Sequence, residues 1–239
     1  MANEFRGKVL KCARDRSANH VIQKCMECVP PQHIQFIFKS FYGKAKRFST
    51  SAYGCRIIQK LLTFCNNPEI YDTIVSEILE AVVELASDPF GNYVVQYIIE
   101  HGGAIERSTI VDKLVGHVLN MSYQKFASNV IEKSLTFGSF QDRQLITTEI
   151  LATSHCGQFE HLLDMMCHEY ANFVIQKLVM TAEVRQLYLL VEVAHGNVAT
   201  IMRYRHGRNV LACMRRVLMH RGISSAGVAI PRSFRARSN

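Results

Sequence analysis

The chain has 239 residues, 48% hydrophobic and 20% charged, a composition that supplies a substantial core and argues against wholesale disorder. No apolar run reaches the length of a membrane span, and the start, Met1-Ala2-Asn3-Glu4-Phe5-Arg6, has neither the basic opening nor the apolar stretch of a secretory signal. The net charge of +8 is uneven: residues 193–239 carry nine Arg and no Lys, Asp or Glu, which leaves 19 basic and 20 acidic side chains in the first 192 residues, so bulk charge alone makes no case for a nucleic-acid ligand. The eight cysteines fall mostly within apolar helical patterns and read as reduced thiols. Cytoplasmic residence is the expectation, with no membrane association.

In chain order, Phe5-Arg6-Gly7-Lys8-Val9-Leu10 reads as the first helix of a repeat. Six segments then align: Asn19-His20-Val21-Ile22-Gln23, Cys55-Arg56-Ile57-Ile58-Gln59, Asn92-Tyr93-Val94-Val95-Gln96, Ser128-Asn129-Val130-Ile131-Glu132, Asn172-Phe173-Val174-Ile175-Gln176 and Arg208-Asn209-Val210-Leu211-Ala212. Their first residues are 36, 37, 36, 44 and 36 apart, the fixed spacing of a repeat architecture. The longer interval places about eight extra residues around 153–160. A small residue precedes every segment (Ala18, Gly54, Gly91, Ala127, Ala171, Gly207), and one position earlier stand Tyr53, Phe90, Phe126 and Tyr170 in four of the six. Between segments, 69–84 and 106–121 read as amphipathic helices, and Pro30-Pro31, Pro68 and Pro89 mark connections and helix starts. Beyond Gly222 the sequence turns to Ser, Gly, Ala, Pro and Arg and reads as a disordered basic tail over 223–239.

On a helical wheel with Asn92 at zero, Gln96 lies about 40° round, Tyr93 about 100°, and Val94, Val95, Ile98 and Ile99 occupy an arc from about 200° to about 340°. Over six segments 22 of the 24 arc positions are apolar, counting Cys25, the exceptions being Ser134 and Arg215. One arc is core, and the other is expected to present three variable side chains to solvent. On one helix, exposed Asn and Gln read as a solvated face; five segments in register, each with a central residue between the pair, read as a site.

These repeats resemble those of the Pumilio (PUF) family over about residues 5–222, a specific match because the motif recurs six times in register. The resemblance implies an all-α fold: an α-solenoid of tandem three-helix Pumilio repeats wound as a curved right-handed superhelix. It divides the chain into repeats at about 5–41, 42–78, 79–114, 115–158 and 159–194, with a C-terminal cap at 195–222. Full domains of the family carry eight base-reading repeats against five here, so the resemblance implies that three N-terminal repeats and their cap are missing.

The resemblance further implies that each repeat reads one base of single-stranded RNA, the first and last of the three residues touching the base edge and the middle one stacking. The RNA-binding residues are then Asn19, His20 and Gln23; Cys55, Arg56 and Gln59; Asn92, Tyr93 and Gln96; Ser128, Asn129 and Glu132; and Asn172, Phe173 and Gln176. Chemistry agrees: an acceptor-only carboxylate such as Glu132 suits the adjacent N–H and amino donors of guanine, and Asn with Gln suits the N–H and carbonyls of uracil. Cys with Gln is the family's pattern for adenine. Asn129 is a poorer stacker than the flat side chains elsewhere. RNA running antiparallel to the protein gives the core 5′-UGUAU-3′.

The implied role is post-transcriptional: binding messenger RNA, commonly in 3′ untranslated regions, as a monomer that recruits translational repressor or deadenylation machinery proteins. The alternative is a protein-interaction scaffold with reduced or lost RNA binding. No enzyme chemistry is visible, and no cofactor or metal is expected. Cys25-Met26-Glu27-Cys28 lacks a second ligand pair, and Cys156, His161, Cys167 and His168 match no standard zinc spacing.

Overall fold

The computed structural model describes residues 2–152 and 159–223. The chain divides into two compact units, Met1–Leu114 and Val115–Asn239. Among the described residues, regular structure is entirely helical.

The first unit opens with a 3-10 turn at Ala2–Phe5, followed by α1 (Val9–Arg14), α2 (Ala18–Cys28) and α3 (Pro31–Lys39). The same short–medium–outer triplet recurs as α4 (Ala45–Ser49), α5 (Gly54–Phe64) and α6 (Pro68–Glu80), and again as α7 (Val82–Ser87), α8 (Gly91–His101) and α9 (Ala104–Leu114). In the second unit it recurs as α10 (Val118–Ser122), α11 (Ala127–Phe137) and α12 (Phe140–Leu151), then as α13 (Glu160–Cys167), α14 (Ala171–Thr181) and α15 (Val184–Gly196), before α16 (Val198–Ile201) and α17 (Arg205–His220). The middle helices α2, α5, α8, α11 and α14 are each 11 residues long; α2 packs on α5 and α5 on α8 in one unit, and α11 packs on α14 and α14 on the 16-residue α17 in the other.

The apolar arc of these middle helices is the core. Ile22, Ile57, Ile58, Val94, Val95, Val130, Ile131, Val174, Ile175 and Val210 are fully enclosed, each such side chain contributing roughly 1.5–3 kcal/mol. Ser134 is enclosed too, its hydroxyl donating to Val130 O at 2.9 Å, so the polar atom is satisfied inside the helix. Val21 is the departure, at 44% exposed.

Three expected elements are differently bounded. The first helix begins at Val9, because Gly7 turns the chain at φ 74° between Phe5 and the helix. The stretch 69–84 is two helices parted at Ala81, and 106–121 is two helices parted by Gly116 at φ 87°. Each long stretch joins the outer helix of one repeat to the first helix of the next, and its apolar spacing runs on across the break. Pro31 and Pro68 open α3 and α6 as expected, where a missing N–H costs nothing, while Pro89 sits in the turn before α8. The inserted residues 153–158 and the tail 224–239 lie outside the described residues.

Candidate nucleic-acid interface

Four of the five middle helices, α2, α5, α8 and α14, start from a turn locked by a side chain. The residue four before the triad caps it: Asp15 Oδ1 accepts from Ser17 N and Ala18 N at 2.9 and 2.8 Å, and Asp88 Oδ1 from Phe90 N and Gly91 N at 2.8 and 2.7 Å. His168 Nδ1 accepts from Tyr170 N and Ala171 N at 3.2 and 3.3 Å in the same place, and Ser51 Oγ from Gly54 N at 3.0 Å. These are the orphan amides of a helix start, satisfied locally. The small residue before the triad has a steric cause: a Cβ on Gly91 would sit 2.8 Å from Leu85 O.

The first triad residue closes the turn from the other side. Asn19 Nδ2 donates to Asp15 O and Arg16 O, both at 2.8 Å; Asn92 Nδ2 donates to Asp88 O at 2.8 Å; Asn172 Nδ2 donates to His168 O and Glu169 O at 2.7 and 3.0 Å. This corrects the expectation of three solvent-facing positions. Asn19, Asn92 and Asn172 are no more than 1% exposed, Cys55 4% and Ser128 5%. The last residue, Gln23, Gln59, Gln96, Glu132 or Gln176, is half-buried, and only the middle one, His20, Arg56, Tyr93, Asn129 or Phe173, stands out. In the three asparagine triads the buried amide adds a second hydrogen bond to the turn carbonyl that already accepts from the same residue's backbone N–H, at Asp15 O, Asp88 O and His168 O.

With Nδ2 occupied, Oδ1 faces the last residue. Gln23, Gln96 and Gln176 donate Nε2 to Asn19, Asn92 and Asn172 Oδ1 at 2.9, 2.8 and 3.0 Å. Each pair is thus a prearranged unit with one remaining amide hydrogen and an Oε1 acceptor on the glutamine, a donor beside an acceptor. Cys55 instead directs its thiol to Ala52 O at 3.6 Å, so Gln59 has no asparagine tether. Burial pushes the Cys55 thiol up, which keeps it neutral. In the fourth triad Ser128 has no amide, and Asn129 takes over the turn, its Nδ2 donating to Lys125 O and Phe126 O at 3.2 and 3.3 Å. Its side chain is thereby drawn toward its own helix start. Burial raises the Glu132 carboxyl above the usual range, with the Lys177 and Lys133 charges pulling it back.

In the first unit these positions converge. A groove of about 540 Å³ is lined by Asn19, His20, Cys55, Arg56, Gln59 and Tyr93, together with Ala52, Tyr53, Pro89 and Phe90. It joins residues of three successive repeats. Tyr53 and Phe90 are additions that the sequence analysis did not assign to the site, although their recurrence two positions before the triad was the available signal. In the sixth segment Arg208 turns its guanidinium to Met202 O at 2.9 Å, so it presents no edge-reading pair with Ala212. Among the described residues no His, Cys, Asp or Glu cluster could hold a metal; Cys156 lies outside them. No helix among them is long and apolar enough to cross a membrane.

A stack of three-helix units with one recurrent polar face is a helical repeat protein. The family model for the Pumilio-family RNA binding repeat matches residues 8–40, 46–79, 81–115, 117–151 and 161–193, and the chain belongs to this family, one of RNA-binding repeats rather than enzymes. A Pumilio domain-containing protein of Schizosaccharomyces pombe is 30% identical over 216 residues, which cover 90% of this chain and 31% of the relative. Pumilio homology domain family member 4 of Saccharomyces cerevisiae is 30% identical over 223 residues, 90% of this chain and 24% of the relative. The chain therefore spans about a third or less of these relatives. Among solved structures, PUF-8 in complex with PBE-RNA is similar with a TM-score of 0.80 at 30% identity, covering 90% of this chain and 63% of that one. The Puf3 RNA binding domain bound to a Cox17 RNA 3′ UTR recognition sequence is similar with a TM-score of 0.81 at 30% identity, covering 89% and 65%.

Proposed function

We propose that this chain binds single-stranded RNA sequence-specifically, one base per repeat, with the five triads as the reading residues and 5′-UGUAU-3′ as the preferred core. The observation that carries the reading is the groove of the first unit, where edge-capable and flat side chains of three successive repeats line one continuous space. RNA complexes of similar proteins support the ligand class. Asn172, Phe173 and Gln176 take the first U; Ser128, Asn129 and Glu132 take G; Asn92, Tyr93 and Gln96 the next U; Cys55, Arg56 and Gln59 the A; and Asn19, His20 and Gln23 the last U. The tethered glutamines offer a donor beside an acceptor, as a uracil edge requires. Untethered Gln59 can present both amide groups to adenine, and Glu132 accepts from two guanine donors. The role is regulation of messenger RNA translation or stability through 3′ untranslated regions, in the cytoplasm, by a monomer that recruits repressor or deadenylation proteins.

The test is competition for the chain among UGUAU, the reversed sequence UAUGU and UCUAU. The reading requires UGUAU to win by at least tenfold over UCUAU, the effect of about 1.4 kcal/mol for an unmatched edge. Equal competition overturns it and favours a scaffold. That second reading draws on Phe140, Leu145, Val184 and Tyr188, 42–53% exposed on the outer helices α12 and α15, which Gln144 and Gln186 link by a 2.7 Å hydrogen bond.

A further inference from the structure

Outside the triads, a second set of side chains joins neighbouring middle helices. In the first unit Lys60 Nζ reaches Glu27 Oε1 at 2.8 Å, from α5 to α2, and Tyr97 and Thr63 share a hydroxyl hydrogen bond of 2.8 Å, from α8 to α5. Both contacts run from five positions past one triad's first residue to eight positions past the preceding one's. In the second unit the same offsets hold Lys177 on α14 and Thr136 on α11. Thr136 is neutral and donates its hydroxyl to Glu132 O at 2.8 Å, so it supplies no counter-charge. Lys177 is half-buried, and no ion pair among the described residues holds it. One turn before Thr136, on the same face of α11, stands the half-buried Glu132 of the fourth triad.

The other charges around Glu132 are engaged. Lys133 Nζ lies 5.0 Å from the centroid of the Phe137 ring, one turn along its own helix, and Lys125 Nζ lies 5.5 Å from that of Phe126. Of the elements packed on α11, α10 carries no ionisable side chain, α12 carries Asp142, Arg143 and Glu149, and α14 carries Lys177 alone. The three on α12 serve turn backbone: Asp142 accepts from Ser139 N, Arg143 donates to Gly138 O, and Glu149 accepts from Gly116 N and Val118 N. Burial raises the Glu132 carboxyl, and Lys177 leads the two charges that pull it back, ahead of Lys133.

On the base reading proposed above, on which this rests, we infer that Lys177 is a positioning residue for guanine: from the neighbouring repeat it acts on Glu132 across α11 and α14, holding it as the acceptor-only carboxylate that guanine's two donors require. Selection of the second base thus depends on a residue outside the triad that reads it. The fourth repeat set beside a neighbour lacking this lysine would read guanine only at higher pH.

The experiment measures competition between UGUAU and UUUAU for the full chain from mildly acidic to mildly alkaline pH, in the parent, Lys177→Met and Lys177→Arg. The Glu132 carboxyl is followed over the same range by carbon NMR without RNA. Met leaves only Lys133 to oppose burial, so the Glu132 titration and the pH at which guanine preference appears should move up together. On the acidic side the preference of Lys177→Met should be several-fold weaker than the parent's, converging with it at alkaline pH, and Lys177→Arg should keep the parent profile. In Glu132→Gln, adding Lys177→Met should leave the ratio of the two pentamers unchanged. An unmoved titration, an unmoved preference profile, an Arg variant that behaves like Met, or equal weakening of both pentamers at every pH overturns the role of Lys177. A parent without guanine preference at any pH overturns the underlying reading and the guanine role with it, whereas a parent with that preference and an unmoved Met variant overturns Lys177 alone.

Discussion

Replacing Asn172 with Ala would remove two hydrogen bonds to turn carbonyls and the tether of Gln176. His168 O keeps the backbone amide of residue 172, so the loss is that of the side-chain hydrogen bonds, about 0.5–1.5 kcal/mol each, and the melting temperature should drop along with uracil preference at the first base. A variant that lost preference with an unchanged melt would contradict the dual role. Glu132 behaves differently, because burial raises its carboxyl. Its folded value lies above the unfolded one, so its ionisation opposes folding. The stability it contributes is full below the ordinary Glu value and declines as pH rises through the raised one. On the proposed reading, guanine recognition needs the carboxylate and should strengthen over the same rise. Glu132→Gln should therefore be at least as stable as the parent at neutral pH, with a flatter pH profile, yet lose guanine preference at one position. Denaturation and competition at several pH values check both signs; a less stable Gln variant at neutral pH would sink the burial argument.

At the scale of elements, the turns between repeats hold two matched devices. Gly43 and Gly116 adopt φ 66° and 87°, and Glu77 and Glu149 reach back to them from α6 and α12, each carboxylate bridging two turn amides. The Glu149 contacts are 2.6 Å to Gly116 N and 2.8 Å to Val118 N. Gly116→Ala should cost about 1–2 kcal/mol from the left-handed backbone alone, and Glu149→Ala about 1.5–3 kcal/mol from lost charge-assisted bonds. Additive losses in the double variant would contradict a shared turn, since coupled neighbours are not additive. The middle helices were legible in the sequence because one small residue and one apolar arc recur in every period. The breaks at Ala81 and Gly116 were not, because apolar spacing continues through them and only the glycine signalled one. The burial of Asn19, Asn92 and Asn172 was invisible for another reason. A helical wheel gives direction, but the turn that folds over the helix start is outside the wheel.

At the scale of the whole molecule, the near-neutral first 192 residues mean that stacking and edge contacts must supply most of the specific affinity, with stacking worth about 1–3 kcal/mol per base. The terminal residues contribute charge instead. Deleting 223–239 removes Arg232, Arg235 and Arg237, and with single strands giving a slope of about −0.7 per neutralised phosphate, the salt dependence should weaken by up to about 2. The preferred sequence should not change; a shifted preference would contradict a purely electrostatic tail.

The central claim is that each triad's chemistry selects its base, and exchanging one triad tests it most directly. Ser128→Asn with Glu132→Gln gives the fourth repeat the pair found at Asn92 and Gln96. The measurement is competition between UGUAU and UUUAU for parent and double variant. The account predicts that the parent prefers UGUAU and the variant UUUAU, a reversal confined to the second base. The same ranking for both proteins would contradict it.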